Sequence, residues 1–265
     1  MNVQAVFGRS LPRVIGAYRE PSWIFFETVL PILGIAAYVY IYKAMGAPDY
    51  YMGYVIIGGA MTAYWLNVLW SMAAQFYWEK EMGNLELYMM APISRMSILG
   101  GMALGGMFAT TVRAVSTIII GLVIFNVTFV IVDHILLVLV FAFTIFALYG
   151  MGMMFASLYM LWGREAWHTS NLLTEPIYLV SGFYFPVKYF GFFMAAAASF
   201  IPITLGLDGM RQTLFANVNT GFLPVWMELV VLIVLSLVFI VLAKYMLAYM
   251  EKLGKREGRL TMRWQ

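Results

Sequence analysis

The chain has 265 residues, of which 63% are hydrophobic and only 11% are charged, and its formal net charge is +3. Soluble domains carry about 25% charged residues, so the composition excludes a water-soluble protein and predicts an all-α membrane protein. The sequence contains no cysteine, which excludes disulfides, thiolate metal ligands and cysteine nucleophiles.

Residues 1–21 have the pattern of an amphipathic helix. Apolar residues such as Phe7 and Leu11 recur at helical spacing, while Arg9 and Arg13 fall on the other side. A helix with one apolar face and one basic face is typical of segments that lie in the membrane interface. We therefore expect an interfacial helix at the start of the chain.

Residues 22–249 contain six apolar stretches that are long enough to cross a bilayer, which needs about 20 residues. The predicted spans are residues 22–42, 53–77, 98–125, 134–161, 167–185 and 225–249. Residues 190–200 are apolar but too short to span, which indicates a re-entrant or surface-seated segment between the fifth and sixth spans. Residues 250–265 form a basic tail.

The distribution of basic residues gives the orientation. Six spans place both termini on one side, and most of the 16 Lys and Arg residues then fall on that side. Because cytoplasmic loops are enriched in Lys and Arg, both termini are expected in the cytoplasm of a multi-pass protein of the cytoplasmic (inner) membrane.

The most charged stretch between the two ends comes after the second span, at residues 78–92. Gly83 and Asn84 break the preceding helix and Pro92 ends the next one, which predicts a short helix of about two turns. Exposed acids on a short helix between two spans suit a docking surface. An ordinary polar loop would have the same spacing.

The sequence E-K-E-x-G-N-x-E-L-x-x-x-A-P at residues 79–92 resembles the first cytoplasmic loop of type-two ABC exporter permeases, with Asn84 where that family usually has Thr. The S-G-x-x-x-P sequence at residues 181–186, followed by residues 200–211, resembles the end of the family's fifth span and its re-entrant outer helices. Residues 18–21 resemble the drug- and lipid-exporting branch more than the polysaccharide branch.

This resemblance implies a permease subunit, not an enzyme, that moves an amphipathic compound, drug or lipid-linked substrate out of the cytoplasm or inner leaflet. It implies two copies of the chain with two copies of a separate ABC ATPase, which would bind the ATP and Mg, and no cofactor on this chain. The sequence agrees in lacking G-x-x-x-x-G-K-[ST]. The residues expected to couple to the ATPase are Glu79, Glu81, Gly83, Asn84, Glu86, Pro92, Arg164 and Glu165.

Polar side chains inside the spans are costly and are therefore functional candidates. The residues expected along a substrate path are Tyr64, Asn67, Arg113 and Glu175. Arg113 lies deep in the third span, and either an ion pair with Glu175 or a substrate contact would explain it. Gly101 and Gly105 have the small-x-x-x-small spacing of closely packed helices.

The sequence is also compatible with other functions. A polysaccharide or teichoic-acid exporter permease would share the topology, and a secondary transporter would show inverted repeats that are not evident here. A membrane-embedded enzyme would need clustered histidines or acids. His134 and His168 fall at opposite membrane faces, so we expect no metal site, and we expect no nucleic-acid partner.

Overall fold

The computed structural model describes residues 3–19, 21–162, 164–215 and 221–257, and this part of the chain is helical with no strand. The all-α prediction is confirmed. The helices are α1 Val3–Arg19, α2 Pro21–Ala44, α3 Tyr50–Leu66, a π-helical segment Asn67–Ala73, α4 Gln75–Glu81, α5 Asn84–Met90, α6 Arg95–Phe125, α7 His134–Trp162, α8 Arg164–Val180, a 3-10 turn Val187–Phe190, α9 Phe192–Ala198, α10 Pro202–Leu214 and α11 Val225–Glu257.

Five helical stretches of the described chain are long and apolar enough to cross a membrane. They are Phe25–Ala44, Tyr50–Glu81, Arg95–Phe125, His134–Met160 and Val225–Glu257. The predicted fifth span is occupied by α8, which has 17 residues and is therefore about 25 Å long. That length is slightly below the thickness of the hydrocarbon core, about 30 Å.

Two ion pairs mark one end of the helix bundle, which we call the near end. Arg9 of α1 pairs with Glu79 of α4. Arg95, at the start of α6, pairs with Glu251 in the last part of α11 at 3.0 Å. The N-terminal helix and the end of the last helix therefore lie at the same end of the bundle.

Hydrogen bonds between other segments mark the opposite end, which we call the far end. Tyr42 Oη, at the end of α2, donates to the Tyr184 carbonyl at 3.1 Å. The Val132 amide, ahead of α7, donates to the Thr213 carbonyl of α10 at 2.9 Å. The loop after α8 and the end of α10 thus meet at the far end.

Following the described chain between these two ends gives six crossings of the bundle. They are made by α2, by α3 to α4, by α6, by α7, by α8 and by α11. Short as it is, α8 starts after α7 at the near end and leads into the Ser181 turn at the far end. The bundle geometry therefore agrees with the predicted six-span topology.

A re-entrant segment lies between α8 and α11, as the sequence predicts. Helices α9 and α10 are bent by 111° relative to each other, and both the start of α9 and the end of α10 lie at the far end. Arg211 of α10 is buried and donates to the carbonyls of Gly182 and Phe183, each at 2.7 Å. These bonds fix the re-entrant pair against the turn after α8.

The N-terminal helix packs closely on α6 through two glycines. A Cβ atom at Gly101 would lie 2.6 Å from the Val6 carbonyl oxygen, and one at Gly105 would lie 2.9 Å from that of Ser10. The predicted role of these glycines in close packing is confirmed. The apolar stripe of α1, which includes Phe7, remains exposed, as an interfacial helix requires.

The centre of the bundle is α3, which packs against α2, α6 and α10 and continues into a π-helical segment that packs against α7. Tyr54, Tyr64 and Trp65 are completely buried there. The outer helices leave large apolar side chains exposed, such as Val123 on α6 and Leu237 on α11. The helix α11 continues to Glu257, so the described start of the basic tail is helical.

Candidate functional site

A short helix, α5, lies at the near end between α4 and α6. Gly83 precedes it in a left-handed conformation with φ of 75°, which glycine adopts without strain, and Pro92 lies just beyond its end. Leu85 is buried and anchors the helix, whereas Leu87 and Met90 are 60% and 74% exposed. The predicted short helix is present, and it presents an apolar as well as an acidic surface.

Glu79 does not lie on that surface. Its side chain is buried and pairs with Arg9 of α1, and it accepts hydrogen bonds from Gln75 Nε2 at 2.7 Å and Asn84 Nδ2 at 3.1 Å. The expectation that Glu79 is an exposed acid is wrong because α1 brings a guanidinium against α4. Asn84 ties α5 to α4 and makes no side-chain cap on α5.

Of the other charged residues predicted to couple to the ATPase, only Glu81 has a described side chain on the surface. Glu81 is exposed beside α5. The backbone of α8 begins at Arg164, but the side chains of Arg164 and Glu165, and that of Glu86 on α5, lie outside the described residues. Their contact with an ATPase stays a prediction.

Arg13, one turn after Arg9, reaches from α1 into the bundle. Its Nη1 donates to the Met102 carbonyl at 2.9 Å, and its Nη2 donates to Ser71 O at 2.7 Å, Ser71 Oγ at 2.6 Å and Gln75 Oε1 at 2.7 Å. Burial lowers the pKa of Arg13 from its ordinary value, although arginine stays protonated in proteins. A single cation therefore joins α1 to α6 and to the second span.

The second span is irregular where Arg13 contacts it. Residues Asn67–Ala73 form a π-helix, and Ser71 lies within that segment. π-helical turns inside α-helices are rare and occur frequently at functional sites. Arg13 thus binds the backbone of the one described span that departs from α-helical geometry.

A cavity of about 970 Å³ lies beside this segment, between α1, α2, α3, α6 and α8. Of the four residues predicted along a substrate path, Asn67 and Arg113 line it. Tyr64 is buried outside the lining and donates to Thr111 Oγ1 at 2.7 Å. Glu175 is exposed on α8 and also lies outside the lining. Two of the four residues predicted along the substrate path therefore line the same cavity.

Arg113 has a different partner from the one that the sequence suggests. It forms an ion pair with Glu27 of α2, and its Nη2 also contacts Thr110 Oγ1 at 3.0 Å. The pairing with Glu175 is wrong because α2 packs against α6 and brings a nearer carboxylate to the guanidinium. Both Arg113 and Glu27 line the cavity, so the pair is part of its wall.

The family model for the ABC-2 type transporter matches residues 3–215, which is most of the chain. The chain belongs to the ABC-2 type transporter family. No curated protein matches it at a significant level. It is therefore a multi-pass membrane permease of an ABC transporter, and the resemblance seen in the motifs of residues 79–92 and 181–186 is confirmed.

The sequence of this ABC-2 permease did not indicate a functional role for Arg9 and Arg13, and it did not indicate that Glu27 pairs with Arg113. Arg9 and Arg13 are four positions apart and share a helix face, and that face packs on Gly101 and Gly105 of α6. The sequence contains two features that indicate this packing. They are the basic pair on one face of the first helix and the stripe of small residues on the third span. They do not reveal which acidic or polar residue each arginine meets.

Proposed function

We propose that this ABC-2 permease is the membrane subunit of an ATP-driven exporter. In this proposal a separate ABC ATPase binds the ATP and Mg²⁺ and docks at the near end through α5, with a smaller contact at the start of α8. The exported substrate is an amphipathic compound, drug or lipid. The permease lies in the cytoplasmic membrane.

The main support for this proposal is that one side of α5 is attached to the bundle while the other side is exposed. Leu85 and the hydrogen bond from Asn84 to Glu79 fix its inner side, while Glu81, Leu87 and Met90 stay exposed. Exposed Leu and Met beside an acid form a small amphipathic surface outside the apolar spans. A rigid element that presents such a surface suits transmission of force from a soluble subunit to the bundle.

The charge distribution supports placing the near end in the cytoplasm. Lys252, Lys255 and Arg256 are exposed on the last turns of α11 at that end, and Arg95 begins α6 beside them. Cytoplasmic segments near span ends carry such an excess of basic residues. An ATPase that uses cytoplasmic ATP would meet α5 on this side.

The exposed face of α8 supports two copies of the permease. Glu175 is exposed between Leu172 and Leu179, which are also exposed. A carboxylate that faced lipid at this depth would cost about 2.5–3.5 kcal/mol or more. We infer that this face meets the second copy across a two-fold axis, the commonest closed symmetry, and that two ATPase copies complete the transporter.

Co-purification with the proposed ABC ATPase tests the proposal. Glu81→Lys and Leu87→Asp change exposed side chains of the docking surface and are expected to lower the ATPase recovered with the permease about tenfold. Their unfolding in detergent should match the unsubstituted chain, because neither side chain is buried. Asp49→Lys, an exposed acid at the far end, is the matched control and should retain the ATPase. Full recovery with both α5 variants would overturn the docking proposal.

A further inference from the structure

The charges that line the cavity of about 970 Å³ do not balance. Among its described lining residues, the charged ones are Arg13, Arg113 and Glu27, so one positive charge is left over. The carboxylate of Glu27 forms an ion pair with Arg113. Arg13 donates to neutral oxygens of Met102, Ser71 and Gln75, and it makes no ion pair with any described carboxylate.

The lining of the cavity is polar at one end and mixed, with many apolar residues, beyond it. Arg13, Ser71 and Gln75 line the cavity at the near end, at the level of the interfacial helix. Leu30 and Leu66 line its middle, together with Asn67 and the Arg113–Glu27 ion pair. The cavity follows the second span back towards the far end as far as Thr62, which lies about 20 Å from Gln75 along a helix.

We propose that this cavity binds a single-chain amphiphile with an acidic group, which lies against Arg13 while its apolar chain extends towards the far end. This inference rests on the proposed function, since it takes the cavity as part of the substrate path. The volume is at the upper end of the range for drug-sized ligands, about 300–1,000 Å³. A half-buried guanidinium whose hydrogen-bond partners are all neutral favours a carboxylate or phosphate, to which it adds charge-assisted hydrogen bonds.

The headgroup preference is measured with the permease purified in neutral detergent without any ATPase. The probes are palmitoyl lysophosphatidylglycerol, which is anionic, and 1-palmitoylglycerol, which has the same acyl chain and no acidic group, and native mass spectrometry gives the apparent Kd of each. The anionic probe is expected to bind about tenfold more tightly, the factor expected from one charge-assisted hydrogen bond. Equal affinities of the two probes would overturn the proposal.

Arg13→Gln should remove this preference by weakening the anionic probe about tenfold and leaving the neutral probe unchanged. The matched control is Arg19→Gln, an exposed arginine of the same helix that does not line the cavity. If Arg19→Gln removes the preference and Arg13→Gln does not, general surface charge explains the binding and the proposal fails. Palmitate as a third probe distinguishes a site for any acidic amphiphile, which it would occupy, from one selective for a phosphate headgroup.

Two glycine variants test the location without touching the Arg13 contacts. Gly16 and Gly34 line the cavity, and a Cβ atom at either position would meet nothing within 4 Å. Gly16→Leu and Gly34→Leu should therefore fill part of the cavity and weaken both probes about tenfold. Gly8→Leu, equally open but outside the lining, should bind as the unsubstituted chain does. Unchanged binding in both cavity variants would place the amphiphile elsewhere and overturn the proposal.

The two proposals fail separately. Loss of ATPase docking in the co-purification experiment leaves the headgroup preference measurable, because the binding assay contains only the permease. Conversely, an absent headgroup preference leaves the α5 docking surface intact, since Glu81 and Leu87 do not line the cavity.

Discussion

Arg9 of the N-terminal helix and the buried carboxylate of Glu79 form an ion pair immediately ahead of the short helix α5. Asn84 of α5 donates to the same carboxylate, and the Arg9 guanidinium lies 5.2 Å from the centre of the Tyr88 ring. The N-terminal helix and α5 are thereby linked through one carboxylate. A force applied to α5 would therefore reach α1, and Arg13 on α1 would pass it to the π-helical segment of the second span.

Removing the Glu79 charge should destabilise the permease. Glu79→Gln leaves Arg9 partly buried without its counter-ion, and we expect a loss of about 3 kcal/mol in the free energy of unfolding. The double variant Arg9→Gln with Glu79→Gln should recover part of that loss, because no unpaired charge remains. Denaturant titrations of the single and double variants in detergent measure both effects. Glu81→Gln, which changes an exposed acid, should stay within about 0.5 kcal/mol.

Accessibility labelling tests the orientation of the two ends. The chain contains no cysteine, so single-cysteine variants need no background removal. Asp49→Cys, at the far end, should react with a membrane-impermeant maleimide added to intact cells. Glu165→Cys, at the start of α8, should react only after the membrane is permeabilised. The reverse pattern would invert the proposed topology and remove α5 from contact with cytoplasmic ATPase.

The features that were predicted correctly from the sequence depend on local chemistry. Gly83 and Pro92 interrupt the chain and so define α5, and the apolar stretch at residues 190–200 is too short to span, which predicts a re-entrant or surface-seated segment where the bent pair of α9 and α10 is found. Gly101 and Gly105 likewise indicate close packing by their size and spacing. In each case the residues concerned lie within a few positions of one another.

The features that were missed depend on which helices become neighbours. Glu79 has the sequence pattern of a solvated acid, and only the packing of α1 near α4 shows that it is buried. Glu27 and Glu175 are both acids of predicted spans, and only the packing of α2 against α6 shows which of them meets Arg113. Helix neighbours in a bundle are set by packing over the whole molecule. Residue type and spacing along one chain carry no direct signal for that choice.

Arg211 should be essential for the stability of the far end of the bundle. It is buried, and its guanidinium donates to the carbonyls of Gly182, Phe183 and Tyr54, the last at 3.1 Å, and lies 4.9 Å from the centre of the Tyr54 ring. Arg211→Met leaves these carbonyls unsatisfied and should lower the free energy of unfolding by about 3 kcal/mol or more. Arg211→Lys should recover only part, because an ammonium lacks the planar fork. Arg19→Met, on the exposed end of α1, is the control and should have little effect on the detergent unfolding curve.

The ion pair between Arg113 and Glu27 gives the most discriminating prediction. Arg113→Ala leaves the Glu27 carboxylate unpaired in the wall of the cavity, and we expect a loss of about 3–5 kcal/mol in the free energy of unfolding. Adding Glu27→Gln should restore much of this stability, whereas adding Glu175→Gln should not, because Glu175 is exposed on another helix. Double-mutant cycles measured by unfolding in detergent should therefore give a clear coupling energy for Arg113 with Glu27 and none for Arg113 with Glu175.

The same variants separate a structural role of Arg113 from a role in transport. The double variant Arg113→Ala with Glu27→Gln removes both charges and should fold, so its activity can be compared with that of the unsubstituted chain in the complex with the ATPase. If Arg113 contacts substrate, substrate-stimulated ATP hydrolysis should fall in the double variant while basal hydrolysis is retained. If stimulation is unchanged, the pair only holds α2 against α6. Coupling of Arg113 to Glu175 in place of Glu27 would contradict the packing of α2 against α6.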